Sequence, residues 1–194
     1  MNSLSKRIFD FLVAVVGLFL LSPLFLIIYI VQKLTYQGPA FFRQERIGLG
    51  GRPFLIYKFR TMIVDSESNG IPQLAEPQDE RLTKFGKFLR SHHLDELPQL
   101  WNVLIGDMSF VGPRPERKYF IDQIIKHDPR YTELYAIRPG ITSYATLYNG
   151  YTDTMEKMLR RLELDLYYME NWTWKFDLQI IMKTVLSILF GKKI

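Results

Sequence analysis

One long uncharged run stands near the start of the chain, from Phe11 to Val31, with the sequence FLVAVVGLFLLSPLFLIIYIV. At about 1.5 Å rise per residue, a helix of these 21 residues would be roughly 31 Å long, which matches the hydrocarbon thickness of a bilayer. A secretory signal peptide fits less well, because its apolar region is usually about 7 to 15 residues long and no small-x-small cleavage site follows Val31. The run therefore predicts a membrane helix.

Two features bear on how this helix meets the membrane. Ser22-Pro23 lies at its centre, where proline removes a backbone donor and favours a bend, and where the serine hydroxyl can satisfy the freed carbonyl. Lys6 and Arg7 precede the run and Lys33 follows it, so the positive-inside rule places both ends in the cytoplasm. Two courses remain open from the residues alone. The helix either crosses straight, or bends at Ser22-Pro23 and enters and leaves on one face.

Composition excludes several classes of protein. The chain has 194 residues, 47% of them hydrophobic, and no cysteine, which excludes a disordered chain and a disulfide scaffold. The formal net charge is only +5, and no zinc-finger, homeodomain or RNA-binding motif is present, so nucleic acid is not a predicted partner. The length supports one globular unit with an appendage. We predict a membrane segment over residues 1–32 and a cytoplasmic catalytic domain over residues 33–194.

The remaining pattern predicts an α/β fold that is mostly helical. Phe41 to Ile47 and Pro53 to Phe59 alternate as strands of a hairpin joined across a glycine-rich turn. Three helices are predicted, over Leu82–Leu89, Leu94–Leu104 and Arg117–Lys126, together with a loop over Asp65–Glu80 and a rigid turn over Ser109–Pro115. Met and Leu residues recur at helical spacing from Met155 to Met169, which predicts a helix face packed in the core. The last segment, Leu178–Phe190, is either an amphipathic helix in the membrane interface or a core helix.

Asp95 and Glu96 are the sharpest candidates for chemistry. They stand at the start of the helix predicted over Leu94–Leu104, where the helix dipole stabilises carboxylate anions. An anionic carboxylate can attack phosphorus or bind a hard divalent cation. The alternative is that Asp95 simply caps the helix, since aspartate is a leading N-cap residue.

Basic residues favour the chemical interpretation. Lys58 and Arg60 lie two apart on a predicted strand and so share a face, Arg90 precedes the acidic pair, and Arg114 stands between two prolines. These cations could converge on one anionic ligand, and the prolines make Arg114 a low-entropy phosphate ligand. Solvated surface arginines are the alternative.

His92 and His93 do not form a predicted metal site. No second histidine pair or HExxH spacing accompanies them, and a hard cation prefers oxygen ligands. A supporting or substrate-contacting role is expected for His93 instead.

Four motifs together resemble the monotopic phosphoglycosyl transferases, a group of bacterial sugar transferases. They are Lys58-Phe59-Arg60-Thr61-Met62, Leu94-Asp95-Glu96-Leu97-Pro98-Gln99-Leu100, Gly106-Asp107-Met108-Ser109 and Val111-Gly112-Pro113-Arg114-Pro115. The resemblance extends from Lys6-Arg7 and Ser22-Pro23 to Arg138-Pro139-Gly140 and the C-terminal helices. The length is similar to that of the short members, so the additional spans and domain of larger relatives are not expected.

The resemblance implies a re-entrant membrane helix and transfer of a sugar 1-phosphate from a UDP-sugar to polyprenyl phosphate. It implies that Asp95 is the nucleophile, that UMP is released, and that Asp95 and Glu96 hold Mg²⁺. The other residues it assigns to the pocket are the phosphate-binding candidates Arg90, Arg114, Lys58, Arg60 and Arg138, with Asp165 and Asp177 as weaker candidates. His93 and Ser143 depart from the family pattern, which bears on the choice of sugar.

The resemblance also implies a location and partners. The enzyme would lie in the bacterial inner membrane with its catalytic domain on the cytoplasmic face, contacting membrane lipid, and would start the assembly of a capsule, O-antigen, exopolysaccharide or glycoprotein glycan. A homo-oligomer or a complex with downstream glycosyltransferases is compatible with it. Two rivals remain, a membrane-anchored UDP-sugar diphosphate hydrolase and a non-catalytic membrane adaptor.

Overall fold

The computed structural model describes residues 3–64, 66, 72–74, 79–150 and 152–190. Most of the loop predicted over Asp65–Glu80 lies outside these ranges. Within them the elements, in chain order, are α1 (Leu4–Thr35), β1 (Phe41–Ile47), β2 (Pro53–Phe59), α2 (Lys84–Ser91), α3 (Gln99–Ile105), β3 (Ser109–Val111), α4 (Lys118–His127), β4 (Gly140–Thr142), α5 (Tyr144–Asn149), α6 (Met155–Glu170) and α7 (Trp174–Leu189). The predicted class, mostly helical with a small sheet and a long apolar N-terminal helix, is confirmed.

Helix α1 is the one described helix that is long and apolar enough to cross a membrane, judged by length and composition. The helix is continuous through Pro23, whose missing N–H would leave the carbonyl of Phe19 without its normal partner. The hydroxyl of Ser22 donates to that carbonyl at 2.8 Å instead. The helix therefore continues across Ser22-Pro23 with one hydrogen bond replaced, and the predicted bend at these residues stays a prediction.

The first turns of α1 are bound to the rest of the protein by charged side chains. Lys6 forms a buried ion pair with Asp177 at the start of α7. Arg7 donates to the carbonyls of Val103 and Leu104, at 2.5 and 2.7 Å, at the end of α3. A cation at these carbonyls complements the negative end of the helix dipole. The N-terminal end of α1 is thus fixed against α3 and α7.

The last turns of α1 also contact the rest of the protein. The side-chain amide of Gln32 donates to the carbonyl of Arg60 at 2.6 Å, just past the end of β2. Ile28 is 3% exposed and packs with Phe59 and Leu89 in an apolar cluster. Both ends of α1 therefore lie against the rest of the described chain, while one face near its centre, with Phe19 at 78% and Leu20 at 67% exposure, points outward.

Strands β1 and β2 form the predicted antiparallel hairpin, with Phe41 opposite Phe59 and Ile47 opposite Pro53. Its turn, Leu49–Gly51, places Gly50 and Gly51 at φ 67° and 71°, a region that favours glycine. The prediction of a hairpin at these residues is confirmed.

Asn102 joins α3 to β2. Its side chain is fully buried, accepts the N–H of Tyr57 at 3.0 Å and donates to the carbonyl of Leu55 at 2.7 Å. These two hydrogen bonds fix the position of α3 along β2, and therefore also the position of the residues that precede α3.

The segment predicted as a rigid turn over Ser109–Pro115 begins as a strand. Ser109–Val111 is β3, parallel to β4, with Ser109 opposite Gly140. The pairing needs close backbone approach, since a Cβ added to Gly112 would lie 2.3 Å from the carbonyl oxygen of Arg138. The sequence pattern missed this strand because its partner lies about thirty residues further along the chain.

The Met and Leu residues of α6 are packed in the core, as predicted from their helical spacing. Helix α6 buries Met158, Leu162 and Leu166 against Phe120 and Ile124 of α4. Helix α7 has one packed face, as the core alternative predicted, and one exposed apolar face, whose place in a membrane interface stays a prediction. The face that carries Ile180, 1% exposed, is packed, while the face that carries Leu178 and Met182, at 50% and 59%, is exposed.

Candidate active site

A sharp change of backbone direction presents Asp95 and Glu96. Helix α2 ends at Ser91, and His93 then adopts the left-handed conformation, with φ 54° and ψ 19°. Leu94–Glu96 follow as a 3₁₀ turn, and α3 begins only at Gln99. The prediction of one helix over Leu94–Leu104 is corrected accordingly. Asp95 is not the N-cap of α3, because Pro98 occupies that position.

Glu96 is held as an anion by two cations. Lys58 Nζ lies 2.6 Å and Arg114 Nη2 2.8 Å from the same oxygen, Oε1 of Glu96. Burial by itself raises the pKa of this carboxyl, but Arg114 and Lys58 outweigh it and hold the pKa well below its usual range. The acid thus ties the hairpin to the Pro113-Arg114-Pro115 segment.

Asp95 lies beside this ion-pair cluster, but its environment differs from that of Glu96. It is 7% exposed, and among the described residues no hydrogen bond or ion pair engages its carboxylate. Burial raises its pKa to about 6, opposed by Lys58, Arg90 and Arg114 and reinforced by Glu96. The group is therefore mainly ionised at neutral pH, desolvated and unoccupied by protein partners, which are the properties of an available nucleophile.

The segment that carries Arg114 is supported from behind by Glu116. This carboxylate lies 2.7 Å from Arg46 of β1 and 3.0 Å from Arg161 of α6, and accepts the N–H of Arg117 at 2.8 Å. Burial opposes its ionisation, but Arg161 and Arg46 lower its pKa to about 2. This buried network connects β1, α6 and the Arg114 segment.

Asp165 and Asp177, the weaker pocket candidates, lie in different surroundings. Asp165 is 1% exposed, and its Oδ1 has no hydrogen-bond partner among the described residues. Burial raises its pKa to about 7, opposed chiefly by the charge of Arg161. Asp177 binds Lys6 and accepts the hydroxyl of Tyr168 at 2.6 Å. Asp177 thus belongs to the attachment of α1, and a pocket role for Asp165 stays a prediction.

The remaining predicted phosphate ligands are Arg90, Arg60 and Arg138, and they do not all lie near the acidic pair. The charge of Arg90, in the last turn of α2, acts on Asp95. Arg60 donates from Nε to the carbonyl of Pro39 at 2.9 Å and lies over the ring of Phe42. Arg138 donates to the carbonyl of Gly106 at 2.8 Å. Lys58, Arg90 and Arg114 thus lie near the acidic pair, and phosphate binding by any of the five cations stays a prediction.

A family model for the bacterial sugar transferases matches residues 1–191. The chain belongs to the bacterial sugar transferase family. This agrees with the resemblance carried by the four sequence motifs.

Curated relatives within this family carry specific activities in their names. The chain is 43% identical over 186 residues to UDP-N-acetylgalactosamine-undecaprenyl-phosphate N-acetylgalactosaminephosphotransferase of Aeromonas hydrophila, covering 96% of this chain and 44% of that protein. It is 43% identical over 193 residues to UDP-glucose:undecaprenyl-phosphate glucose-1-phosphate transferase of Klebsiella pneumoniae, covering 98% and 41%. It is 40% identical to the sugar transferase EpsL of Bacillus subtilis, covering 97% and 89%. The chain thus spans less than half the length of the first two.

Asp95 and Glu96 fit part of a magnesium site. No group of three histidine, cysteine, aspartate or glutamate side chains placed to hold a metal occurs in the described part of this sugar transferase. Mg²⁺ usually takes only one or two protein carboxylates and completes its shell with water and substrate phosphates. Asp95, which has no described protein partner, meets that requirement better than Glu96, whose Oε1 is already bound by two cations.

Sequence reasoning missed the residues that support the site. Asn102, Glu116, Arg161 and Arg46 are part of no recognisable motif. A possible signal was the adjacency of Glu116 to the Arg114-Pro115 pair, since a charged residue beside a constrained turn often stabilises it.

Proposed function

We propose that this sugar transferase moves a sugar 1-phosphate from a UDP-sugar to undecaprenyl phosphate through a covalent aspartyl intermediate. The observation that carries the proposal is the buried carboxylate of Asp95, which has no partner among the described residues and lies beside a glutamate neutralised by Lys58 and Arg114. The names of the relatives from Aeromonas and Klebsiella support the donor and acceptor classes.

In the first step a carboxylate oxygen of Asp95 attacks the β-phosphorus of the donor. The bond from that phosphorus to the bridging oxygen breaks, and UMP leaves with the electron pair. In the second step a phosphate oxygen of undecaprenyl phosphate attacks the same phosphorus, and the Asp95 carboxylate is released with the formation of undecaprenyl diphosphate sugar. Splitting the transfer lets both phosphorylated substrates use one cationic pocket in turn.

Arg114, Lys58 and Arg90 offset the charge of the diphosphate and of its transition state. Arg114 has the planar donor fork that matches two phosphate oxygens, and the pairing of Glu96 with Arg114 and Lys58 keeps both cations in place before the donor arrives. Such preorganised cations stabilise developing charge more effectively than mobile solvent does. Mg²⁺ bound by Asp95 and Glu96 would supply further charge neutralisation of the diphosphate.

The attachment of α1 supports a membrane course in which both ends stay on one face. Lys6 and Arg7 in its first turns and Gln32 in its last bind the same catalytic body, which a helix crossing to the other side could not do. With the acceptor confined to the bilayer, we place the catalytic domain on the cytoplasmic face of the inner membrane, where UDP-sugars are made. Lipid contacts would come from the exposed apolar faces of α1 and α7.

Thiol labelling tests this course directly, because the natural chain has no cysteine. Ser5 and Thr35 are exposed at the two ends of α1. We expect Ser5→Cys and Thr35→Cys to react equally with a membrane-impermeant maleimide in inverted inner-membrane vesicles, as Asp122→Cys on the catalytic domain does. Labelling of only one of the two α1 sites, with the other reactive after detergent, would show a crossing helix.

The pKa of Asp95 predicts an acid limb in the rate. Attack requires the anion, and with a pKa of about 6 its ionised fraction falls about tenfold between pH 7 and pH 5. We expect kcat/KM to fall by about the same factor as the pH is lowered, since Glu96 stays ionised throughout this range. The pH profile of UMP release at fixed ionic strength and fixed Mg²⁺ measures it. A flat profile from pH 7 to pH 5 would contradict the assignment of Asp95.

The proposal as a whole is tested with purified protein, Mg²⁺, undecaprenyl phosphate and a panel containing UDP-glucose and UDP-N-acetylgalactosamine. We expect UMP release and transfer of radiolabelled sugar to the organic phase, both dependent on the lipid at steady state. Steady-state release of UMP and sugar phosphate without lipid would identify a hydrolase. No reaction with any donor would favour the non-catalytic adaptor.

A further inference from the structure

His93 occupies a backbone position that favours glycine. It is the one non-glycine residue with positive φ in the part of the chain that the structure describes. It follows the C-cap of α2, His92, at the place where a left-handed glycine commonly ends a helix. Histidine tolerates this conformation better than most residues but at a steric cost that glycine lacks. The backbone alone therefore gives no reason for an imidazole here.

The side chain of His93 belongs to the same cluster as the acidic pair. It is half-buried, and the charged groups that act on it are Glu96, Arg114, Lys58 and Arg90. Its imidazole makes no hydrogen bond to any described residue, whereas the neighbouring His92 is exposed and bonds through Nδ1 to the carbonyl of Phe88 at 2.8 Å. His93 thus holds hydrogen-bonding nitrogens at the site without a protein partner.

We propose that the imidazole of His93 contacts the sugar of the donor and helps to decide which UDP-sugar is used. This inference rests on the proposed function. Asp95, two residues further along the same tight turn, would attack the phosphorus that bears the sugar, so the first sugar atoms must lie beside this turn. A ring nitrogen of His93 can bind a sugar hydroxyl there, and a partner of fixed position discriminates between sugars that differ in one hydroxyl or acetamido group.

Glycine and asparagine variants separate this role from a merely structural one. His93→Gly removes the side chain and suits the left-handed backbone, so we expect its melting temperature to stay within a few degrees of that of the natural protein. His93→Asn tolerates the same backbone and keeps a hydrogen-bonding group. His92→Ala is the matched control, since that imidazole points away from the cluster. Each variant is assayed for kcat and KM with the same panel of UDP-sugars.

We expect His93→Gly to lose roughly tenfold in kcat/KM for the preferred donor, and to change the ratio between donors, while His92→Ala stays within twofold. His93→Asn should retain more of the preference than His93→Gly. Unchanged donor ratios in a folded His93→Gly protein would overturn the inference, including the case of an equal loss for every donor. If the natural protein releases UMP from no UDP-sugar, the proposed function fails first and the inference falls with it.

Discussion

Replacing Asp95 by asparagine is expected to reduce turnover by at least about 10³-fold and to abolish the covalent intermediate. Asparagine keeps the size of the side chain but replaces the carboxylate with an amide that does not attack phosphorus. Loss of a nucleophile costs this much or more in enzymes with covalent intermediates. The readouts are UMP release and the intact mass of the protein incubated with donor alone, which should show a sugar-phosphate adduct only in the natural protein.

The same variant should fold normally. Because burial raises the pKa of Asp95 to about 6, its ionised form is disfavoured in the folded state, and the group lowers stability increasingly from about pH 4 and fully above about pH 6. Removing the charge should therefore leave the melting temperature at pH 8 unchanged or higher. Asp122→Asn is the matched control, because Asp122 pairs only with Lys118 on the exposed face of α4. An Asp95→Asn protein that keeps natural turnover would exclude the covalent mechanism, while the family assignment would stand.

Replacing Arg114 by glutamine is expected to lower kcat/KM by about 10²- to 10³-fold. The change removes a preorganised cation from the diphosphate, and the loss of one such group typically has an effect of this size. Arg114→Lys should recover only part of the activity, because lysine restores the charge but not the planar fork. The measurement is UMP release over a range of donor concentrations.

The structural cost of the Arg114 substitution can be separated from the chemical one. Glu96 keeps its bond to Lys58 at 2.6 Å, and the backbone beside residue 114 keeps the hydrogen bond from the N–H of Gly140 to the carbonyl of Pro113 at 2.9 Å. We therefore expect a folded protein with a moderately lower melting temperature. Arg130→Gln is the control, since Arg130 pairs with Asp128 and Glu163 at the surface, where ion pairs contribute little to stability or catalysis. Activity of Arg114→Gln within twofold of the natural protein would remove Arg114 from the pocket.

Local patterns predicted the elements whose partners are near in the chain. The hairpin over residues 41–59 was predicted because alternation and a glycine-rich turn are contained in one short stretch. The stripe of α6 was predicted because helical periodicity shows which face is buried. The adjacent acids Asp95 and Glu96 were recognised for the same reason, since chemistry carried by neighbouring residues needs no knowledge of the fold.

Two predictions of secondary structure failed, because the backbone conformation there depends on tertiary contacts or on an unusual backbone angle. Strand β3 exists because Gly112 lets the chain approach Arg138, and neither strand has a pattern of its own. The helix predicted from Leu94 starts five residues later, because the left-handed His93 and the 3₁₀ turn redirect the chain between α2 and α3.

The sequence by itself determined that this protein has a long apolar helix, an excess of basic over acidic residues and a pair of adjacent acids, because these are properties of composition and of neighbouring residues. Only the tertiary structure decided that the two acids differ, with Glu96 neutralised by Lys58 and Arg114 and Asp95 buried without a described partner. It also decided that both ends of α1 are attached to one body. The physical reason is that ionisation and attachment depend on burial and on charges brought from far along the chain, and these distances exist only once the chain has folded.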